Sequence, residues 1–464
     1  MPKRAPNGPA NKLAAELAAI SGAENVFTQG PQLEEYSEDM AGYRAAPAVA
    51  VLPGTEDEVM KVVALAGKRK VPIVPRGAGS SLTGASVSKG GIILDMRRMD
   101  AVLKVDTVNW YARAQAGITL EDLNKRLKKD GFFFPPDPAS SSLCTVGGAV
   151  AEGSGGLRCV KYGTVKDWVV ALRVVLPNGK VTNLGEPLAK NRAGFDLVHL
   201  MVGSEGTLGI VTEAFLKIIP LPQTKPKRLL LTFDDWTSTS DAICELRAAR
   251  IMPHMFEFID KETIQALNKT MDMRQDEAEA TLIVDIEEGS LESAMEIFRR
   301  NGPGKIVMAK DDEEAEEFYQ IRSMAYLAIR GLGKAVHVED IVVPIDRLGE
   351  YMTMVKETAS KRGLRILVNG HAGDGNVHPV ILYDADDKKS RGAALKAFEE
   401  ICRYGIGLGG SITGEHGVGA QKAKLLAEQF KAHEGQEALR LMKEIKKLFD
   451  PEGIMNPGKY VEAA

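Results

Sequence analysis

The chain has few cysteines, and their spacing fits neither a disulfide framework nor a metal cluster. Four cysteines are spread over 464 residues with no Cys-x-x-Cys pair. This pattern argues against a disulfide scaffold, a zinc ribbon or an iron–sulfur cluster held by this chain. Isolated cysteines are typical of a reducing compartment, so we expect a cytoplasmic protein.

Long apolar runs and an excess of one charge are also missing. No uncharged apolar run reaches the roughly 18 residues that a membrane-spanning helix needs. The 59 basic and 63 acidic side chains give a net charge of -4, which offers no electrostatic case for nucleic acid. No apolar segment follows the basic start, Met-Pro-Lys-Arg, so we expect a short tail and not a secretory signal, followed by a helix over residues 11–20.

Histidine is scarce too, but its placement is informative. Three of the seven histidines lie in two glycine-flanked segments, residues 369–379 and 413–417. A Gly-Asp-Gly turn between His371 and His378 lets the chain reverse and bring both imidazoles to one point. With Glu415 they form a mixed nitrogen and oxygen set suited to a divalent transition metal such as zinc, manganese or iron. His416 then stands beside the ion as a candidate base; the alternative is that these histidines are turn residues satisfied by backbone groups.

Glycine-rich segments mark the first half of the chain. The loop at residues 76–84 follows a short strand, but its GxGxxxxG spacing does not fit a dinucleotide fingerprint. Such a loop can still wrap a pyrophosphate with bare backbone N–H groups, although a structural turn is an equal alternative. Residues 132–162 are predicted to be irregular, which favours a binding segment. The elements predicted here are helices over 55–69, 119–129 and 195–201, strands over 71–74, 92–95, 102–105 and 110–114, a hairpin of 169–176 with 181–184, and a strand ending near 219.

A proline-rich linker at residues 220–226 precedes a segment with a different pattern of predicted secondary structure. Strands and helices alternate from there on, which predicts an α+β layer packed on one sheet. The predicted strands are 228–233, 254–258, 281–286, 335–343 and 365–369. The predicted helices are 238–249, 290–300, 312–330, 346–362, 389–404, 421–429 and 434–448.

Seven motifs together make the chain resemble a known family. They are RGAGSSLTG at 76–84, PPDPASSSLCTVGG at 135–148, KYG at 161–163, GSEGTLGIVTE at 203–213, HAGDGNVHP at 371–379, TGEHGVG at 413–419 and NPGK at 456–459. In this order they resemble the FAD-linked D-2-hydroxy acid dehydrogenases, which include D-lactate dehydrogenases and the D subunit of glycolate oxidase, within the vanillyl-alcohol-oxidase type of FAD proteins.

The resemblance implies an α+β fold: an FAD-binding domain of two subdomains, then a substrate or cap domain with an antiparallel sheet, and a C-terminal segment that returns to the FAD domain. We expect an N-terminal tail and helix at 1–44, the FAD domain at 45–222, the cap domain with the metal site at 223–430 and the C-terminal segment at 431–464. His199, the only histidine before residue 250, lies outside the loop where relatives attach flavin covalently, so we expect non-covalent FAD.

The resemblance also implies roles for individual residues. His371, His378 and Glu415 match the family's metal ligands, His416 its base, and Arg322 an arginine that grips the substrate carboxylate as a bidentate fork. The implied cofactor-binding residues are Arg76, Gly77, Ala78, Gly79, Ser80, Ser81, Gly84, Pro136, Asp137, Cys144, Thr145, Gly147, Gly148, Gly155, Gly156, Tyr162, Glu205, Gly206, Gly209, Ile210, Val211, Asn376 and Asn456.

The expected reaction is FAD- and metal-dependent oxidation of a small D-2-hydroxy acid, D-lactate or glycolate, to the 2-oxo acid. Relatives specific for D-2-hydroxyglutarate carry a lysine where this chain has Val338, which favours a monocarboxylate. D-2-hydroxyglutarate oxidation and a metallohydrolase using the same ligands are the alternatives. Electrons are expected to pass to an iron–sulfur subunit, an electron-transferring flavoprotein or a quinone. A homodimer or a hetero-complex, with peripheral attachment to the inner membrane through a partner, is compatible with this role.

Overall fold

The computed structural model describes the backbone of residues 9–464, so most of the predicted N-terminal tail lies outside the described residues. The described chain begins with helix α1 (Pro9–Ser21), which confirms the helix predicted over residues 11–20. Within residues 9–464, no helix is long and apolar enough to cross a membrane.

The first half of the chain forms two small α+β subdomains. One contains a four-stranded sheet of order β1-β2-β4-β3, and the other a five-stranded sheet of order β5-β6-β10-β8-β9. The strands are β1 (Val26–Phe27), β2 (Val49–Val51), β3 (Ile73–Arg76), β4 (Ile92–Asp95), β5 (Val102–Asp106), β6 (Tyr111–Gln115), β7 (Phe132–Phe133), β8 (Val169–Val175), β9 (Val181–Gly185), β10 (Ile210–Lys217) and β11 (Ile219–Pro220). The helices after α1 are α2 (Pro31–Glu34), α3 (Glu56–Arg69), α4 (Leu120–Lys128), α5 (Val146–Glu152), α6 (Cys159–Tyr162) and α7 (Val198–Met201).

The second half is built on an eight-stranded sheet in which every pairing is antiparallel. Its main path runs β15-β12-β14-β13-β18-β19-β16, and β17 also pairs with β19. The strands are β12 (Lys227–Phe233), β13 (Met255–Asp260), β14 (Ala280–Ile286), β15 (Lys305–Met308), β16 (Ala335–Val338), β17 (Ile341–Val342), β18 (Arg365–His371) and β19 (Asn376–Tyr383). The helices are α8 (Trp236–Ala248), α9 (Lys261–Met271), α10 (Leu291–Arg300), α11 (Asp312–Ser323), α12 (Ala325–Arg330), α13 (Leu348–Arg362), α14 (Lys388–Gly407), α15 (Ala423–Ala432) and α16 (Gln436–Phe449).

Most helices and strands lie where the sequence predicts them, because the signals for their ends come from residues only a few positions apart. The Thr55 hydroxyl accepts from the N–H of Glu58 at the start of α3, and Thr119 accepts from the N–H of Asp122 at the start of α4. These bonds satisfy N–H groups that lack intrahelical partners. The hairpin predicted over 169–184 is confirmed as β8 and β9.

Four predicted elements need correction. Residues 132–162 are not wholly irregular, because Thr145 caps helix α5 and α6 follows it. The helix predicted over residues 195–201 is shorter in the structure, where α7 covers only Val198–Met201. The helix predicted over 312–330 divides at Met324 into α11 and α12, and the strand predicted over 335–343 divides into β16 and β17. Helix α9 and strands β15 and β19 were not predicted.

The two faces of the large sheet are covered differently. Helices α8, α10, α13 and α14 pack with one face around the main apolar core, which includes Phe258, Tyr351 and Ile401. Helices α9, α11 and α12 cover only part of the other face, around Ile259 and Val380. The remaining part of that face carries polar side chains and faces the first half of the chain.

The C-terminal segment returns to the first half, as predicted. The N–H of Ile73 donates to Ile454 O at 2.8 Å, and the N–H of Asn456 donates back to Ile73 O at 2.9 Å. Lys446 Nζ is buried and donates to Thr207 O at 3.0 Å. These bonds fasten the end of the chain beneath strand β3, directly before the glycine-rich loop at residues 76–84.

A half-buried histidine in the second-half sheet, His337, gives a stability prediction. His337 on β16 stacks on Tyr383 with ring centroids 4.7 Å apart, and its Nε2 is buried without a hydrogen-bond partner in residues 9–464. Burial, with a smaller contribution from Arg391, lowers the pKa of His337 to about 4. Because the unfolded chain then binds the proton more readily than the folded chain, stability is full above pH 6.5 and falls as the pH drops towards 4.

Replacing His337→Phe keeps the stack but removes the titrating group. We expect the free energy of unfolding of the wild type to fall by up to about 3 kcal/mol relative to H337F between pH 6.5 and pH 4. Urea unfolding of both proteins across this range measures the difference. Parallel pH profiles for the two proteins would contradict the assignment.

Candidate active site

A β-hairpin brings His371 and His378 together. Strands β18 and β19 pair antiparallel with Asn369 opposite His378 and His371 opposite Asn376. The two histidines are therefore diagonal neighbours on one face of the sheet, with ring centroids 5.1 Å apart. Gly375 has φ +69° in the connecting turn, where a side chain would meet the carbonyl of Val343. The chain reversal predicted between these histidines thus takes the form of a tight hairpin.

The loop that carries Glu415 and His416 is fixed to this hairpin by Asp340, which lies fully buried between β16 and β17. Asp340 Oδ2 accepts from the Thr413 hydroxyl at 2.6 Å and from the N–H groups of residues 414, 415 and 416 at 2.9, 3.0 and 2.8 Å. Asp340 Oδ1 accepts from Asn376 Nδ2 at 2.7 Å. One carboxylate therefore holds both segments.

The result is a cluster of three imidazoles around one carboxylate oxygen. Glu415 Oε1 lies 3.3 Å from His371 Nε2, 3.2 Å from His378 Nε2 and 3.3 Å from His416 Nε2. The His416 ring stacks on His378 at 4.9 Å. Gly155 from the first half packs against the cluster, since a methyl group there would lie 2.6 Å from Glu415 Oε2.

These side chains fit a divalent metal ion. Ligand atoms separated by slightly more than 3 Å match the spacing required by bonds of about 2.0–2.2 Å to a common ion. His371, His378 and Glu415 each offer one such atom, and all three are largely buried. In residues 9–464, neither ring nitrogen of His378 makes a hydrogen bond of acceptable geometry, although Nε2 lies 3.2 Å from Glu415 Oε1. A buried imidazole without partners is costly unless it binds something else.

Burial and neighbouring charges shift the pKa values of these groups in different directions. Burial alone would lower the pKa of His371, but the charges of Glu257 and Glu415 raise it to about 10. Burial lowers the pKa of His378 to about 4. Against burial, the carboxylates of Asp340 and Glu415 raise the pKa of His416, and the imidazoles lower that of Glu415. His416 is therefore the more basic member of the stacked pair.

A second buried carboxylate, Glu257 on β13, connects the cluster to Arg322. Glu257 Oε1 lies 2.7 Å from His371 Nδ1, and Glu257 Oε2 lies 2.7 Å from Arg322 Nε. Arg322, at the end of α11, is only 6% exposed, so it is not a surface charge. Glu257 did not emerge from the sequence motifs, although a glutamate amid the apolar residues of Met-Phe-Glu-Phe-Ile is an available signal.

The cluster opens into a cavity of about 370 Å³ between the two halves of the chain. His371, His378, Glu415, His416 and Arg322 line one wall. The other wall is formed by most of the residues predicted to bind the cofactor: Arg76, Gly77, Ala78, Gly79, Ser80, Ser81, Cys144, Thr145, Gly147, Gly148, Gly155, Gly156, Glu205, Gly206, Gly209 and Val211.

The glycine-rich loop has the donors that a pyrophosphate needs. The backbone N–H groups of residues 77–81 make no hydrogen bond to an acceptor within residues 9–464. Half-buried N–H groups without partners, held in a cavity wall, fit the anionic part of a dinucleotide. The guanidinium of Arg76 instead donates to the carbonyls of Glu35, Glu38 and Ser86 and so anchors the loop.

Seven residues predicted to contact the cofactor do not line this cavity: Gly84, Pro136, Asp137, Tyr162, Ile210, Asn376 and Asn456. Several have structural partners. Asp137 accepts from the N–H of Arg158, Tyr162 packs on Trp168, and Asn376 donates to Asp340. Asn456 Nδ2 donates to the carbonyls of Ala85 and Glu205, which fixes the C-terminal segment to the cofactor loops.

Glu205 lines the cavity, but its carboxylate binds backbone groups of the protein. Its carboxylate accepts from the N–H groups of Val418 and Gly419 at 2.7 and 2.8 Å. The carbonyl of Thr83, at the end of the glycine-rich loop, accepts from the N–H groups of Ala420 and Gln421. The segment that follows His416 is therefore held by the first half of the chain.

Comparison with known proteins supports this division of roles. Residues 47–185 match the family described as FAD binding domain, and residues 223–460 match FAD linked oxidases, C-terminal domain. The chain is 36% identical over 453 residues to glycolate oxidase subunit GlcD of Bacillus subtilis, covering 96% of this chain and 95% of that protein. It is 32% identical over 447 residues to a D-lactate dehydrogenase of Anaerostipes hadrus, covering 92% of each.

Solved structures confirm the fold. Substrate-bound p-cresol methylhydroxylase matches with a TM-score of 0.80 at 19% identity, covering 100% of this chain and 98% of that one. The 4-ethylphenol oxidase from Gulosibacter chungangensis matches with a TM-score of 0.78 at 17% identity, covering 99% and 98%. The predicted FAD-binding fold of the vanillyl-alcohol-oxidase type is therefore confirmed. Given these relatives and both matched domains, the chain belongs to the FAD-linked D-2-hydroxy acid dehydrogenase family and is an FAD-dependent oxidoreductase.

Proposed function

We propose that this protein oxidises a small D-2-hydroxy monocarboxylate, D-lactate or glycolate, to the 2-oxo acid, using FAD and a divalent metal ion held by His371, His378 and Glu415. The main support is that the imidazole cluster and the cofactor loops line the same cavity. The printed names of the relatives, glycolate oxidase subunit and D-lactate dehydrogenase, supply the substrate class.

The side chains of the cluster divide the chemistry between them. Arg322 binds the substrate carboxylate, because the Nη end of its guanidinium makes no hydrogen bond to residues 9–464 and offers a planar fork. His416 takes the proton of the 2-hydroxyl group, and the carboxylates beside it strengthen it as a base. A metal ion held by His371, His378 and Glu415 would supply stabilisation of negative charge on the hydroxyl oxygen, and FAD held by the loops of the first half would supply the acceptor for the hydride of Cα.

The charges around the cavity favour a single substrate carboxylate. Among the described residues that line it, the cationic side chains besides histidine are Arg76 and Arg322, and Arg76 is occupied by backbone carbonyls. Val338 lines the cavity opposite Val380 on the neighbouring strand, where a second carboxylate would need a cation. A dicarboxylate such as D-2-hydroxyglutarate would leave one charge unpaired, so this alternative is less favoured.

The electron acceptor is proposed to be separate from this chain. The four cysteines are free thiols, and no metal-ligating group among residues 9–464 includes one of them. An iron–sulfur subunit, an electron-transferring flavoprotein and a quinone each suit a cytoplasmic enzyme, free or attached to the membrane through a partner. A metallohydrolase has no use for the flavin loops, so family membership removes the main reason to favour that alternative.

Anaerobic flavin reduction tests the proposed reaction. We expect D-lactate or glycolate to bleach the flavin absorbance of the holoenzyme near 450 nm, while L-lactate and D-2-hydroxyglutarate do so far more slowly. Removal of metal by a chelator should slow reduction roughly 10²-fold or more, because several kcal/mol of charge stabilisation are lost, and re-addition of zinc or manganese should restore it. If no 2-hydroxy acid accelerates reduction of the flavin, the proposal is wrong.

The role of His416 has its own test. We expect His416→Ala to lower the rate of flavin reduction by about 10²–10⁴-fold, the usual loss for a general base. His433→Ala is the matched control, because the His433 ring bonds the carbonyl of Ile406 and His433 does not line the cavity. Stopped-flow reduction of both variants decides the matter, and an unchanged rate in H416A would remove His416 from the mechanism.

Non-covalent attachment of FAD gives a further prediction. His199 lies away from the cavity, with its ring nitrogens bound to Asp196 and to the carbonyl of Lys166. We therefore expect acid precipitation to release all yellow colour into the supernatant. Flavin fluorescence retained by the denatured polypeptide on a gel would show a covalent bond instead.

A further inference from the structure

Glu257 occupies an unusual position for a charged side chain. It lies in the middle of β13, is completely buried, and stands directly opposite His371 in the sheet register. Its two oxygens have different partners, His371 Nδ1 and Arg322 Nε, each at 2.7 Å. Both partners line the cavity, whereas Glu257 itself does not.

Stability alone does not explain a carboxylate here. A buried ion pair loses as much through desolvation as it gains by attraction, and apolar replacements are often neutral or stabilising. The same sheet contains such a pair in Asp285 and Arg228, which bind each other through two contacts of 2.6 and 2.7 Å and do not line the cavity. Glu257 differs from Asp285 because each of its oxygens orients a residue of the proposed site.

The first effect is on His371. A carboxylate at Nδ1 keeps the proton on that nitrogen, so Nε2, which faces Glu415 and His378, is the nitrogen left to bind an ion. Such a partner also prevents rotation of the ring and increases its basicity as a ligand. The ring is therefore already oriented before any ion binds.

The second effect is on Arg322. The Nε–H is not aimed along the line to Glu257, so the contact is an ion pair and not a linear hydrogen bond. It still holds the guanidinium at its Nε, and no hydrogen bond within residues 9–464 uses the Nη groups. A substrate carboxylate that binds these groups meets a fork whose orientation is already set.

We propose that Glu257 is a positioning residue that couples the proposed metal ligand His371 to the proposed substrate-binding Arg322. This inference rests on the proposed function. A single buried carboxylate then sets the distance between the ion and the substrate carboxylate, so its loss should weaken metal binding and substrate binding together.

The test is Glu257→Gln in the FAD-loaded protein. We expect zinc or manganese affinity, measured by competition with a chromophoric chelator, to fall about 10–100-fold, the usual loss for an outer partner of a metal-bound histidine. At saturating metal, we expect KM for D-lactate to rise about tenfold or more, with a smaller change in kcat, because orientation of Arg322 contributes to binding. FAD content should be unchanged.

Asp285→Asn is the matched control, since it removes a buried carboxylate–arginine pair from the neighbouring strand without touching the cavity. D285N should lose stability but keep metal affinity and KM. If E257Q shows wild-type metal affinity and KM, the proposal is overturned. If E257Q is recovered without FAD or as aggregate, Glu257→Asp is tested instead. This variant keeps the charge but shortens the side chain by one methylene group, and its metal affinity and KM then test the proposal.

Measurements on the wild type and on E257Q distinguish a failure of this inference from a failure of the proposed function. If the wild-type protein binds no divalent ion and no 2-hydroxy acid reduces its flavin, the proposed function fails. If the wild type does both and E257Q behaves like D285N, only the positioning role of Glu257 is overturned.

Discussion

The arrangement of the site depends on one buried carboxylate, that of Asp340. Five hydrogen bonds from two separate segments converge on it, and it carries no exposed surface. A charge buried this deeply is tolerated only when every lone pair is satisfied, so the hairpin and the 413–416 loop cannot separate without a large penalty. This constraint holds Glu415 and His416 against the histidine pair.

The two halves of the chain are joined at the same place. Glu205 and the Thr83 carbonyl, both next to the cofactor loops, bind the backbone directly after His416. Gly155 meets Glu415 from the same side, where even a methyl group would collide. The position of the proposed base is therefore set both by the eight-stranded sheet, through Asp340, and by the loops of the first half that are proposed to bind FAD.

Sequence reasoning identified the parts whose signals are local. Capping threonines predicted α3 and α4, and the Gly-Asp-Gly turn predicted the chain reversal between the two histidines, because turn and cap chemistry is contained within a few residues. It missed Glu257, which acts from the neighbouring strand β13, and Asp340, which binds two segments distant in sequence. Asn376 and Asn456, for which a cofactor role is predicted, bind protein atoms through their side-chain amides, and that role stays a prediction. Partners far apart in sequence leave no periodic signature, so only the fold reveals them.

The charge distribution gives the proposed specificity a physical basis. Glu257 and Arg322 neutralise each other, and Lys422 lies against Glu339 and the carbonyl of Asp340 beneath the loop. In the proposed complex, Glu415 offsets part of the charge of a divalent ion, and Arg322 faces the single substrate carboxylate. A second carboxylate would face Val338 and Val380 without a counterion, and a charge without a partner is unfavourable against an apolar wall. The proposed preference for a monocarboxylate therefore rests on the missing counterion beside Val338 and Val380 as well as on the apolar character of this wall.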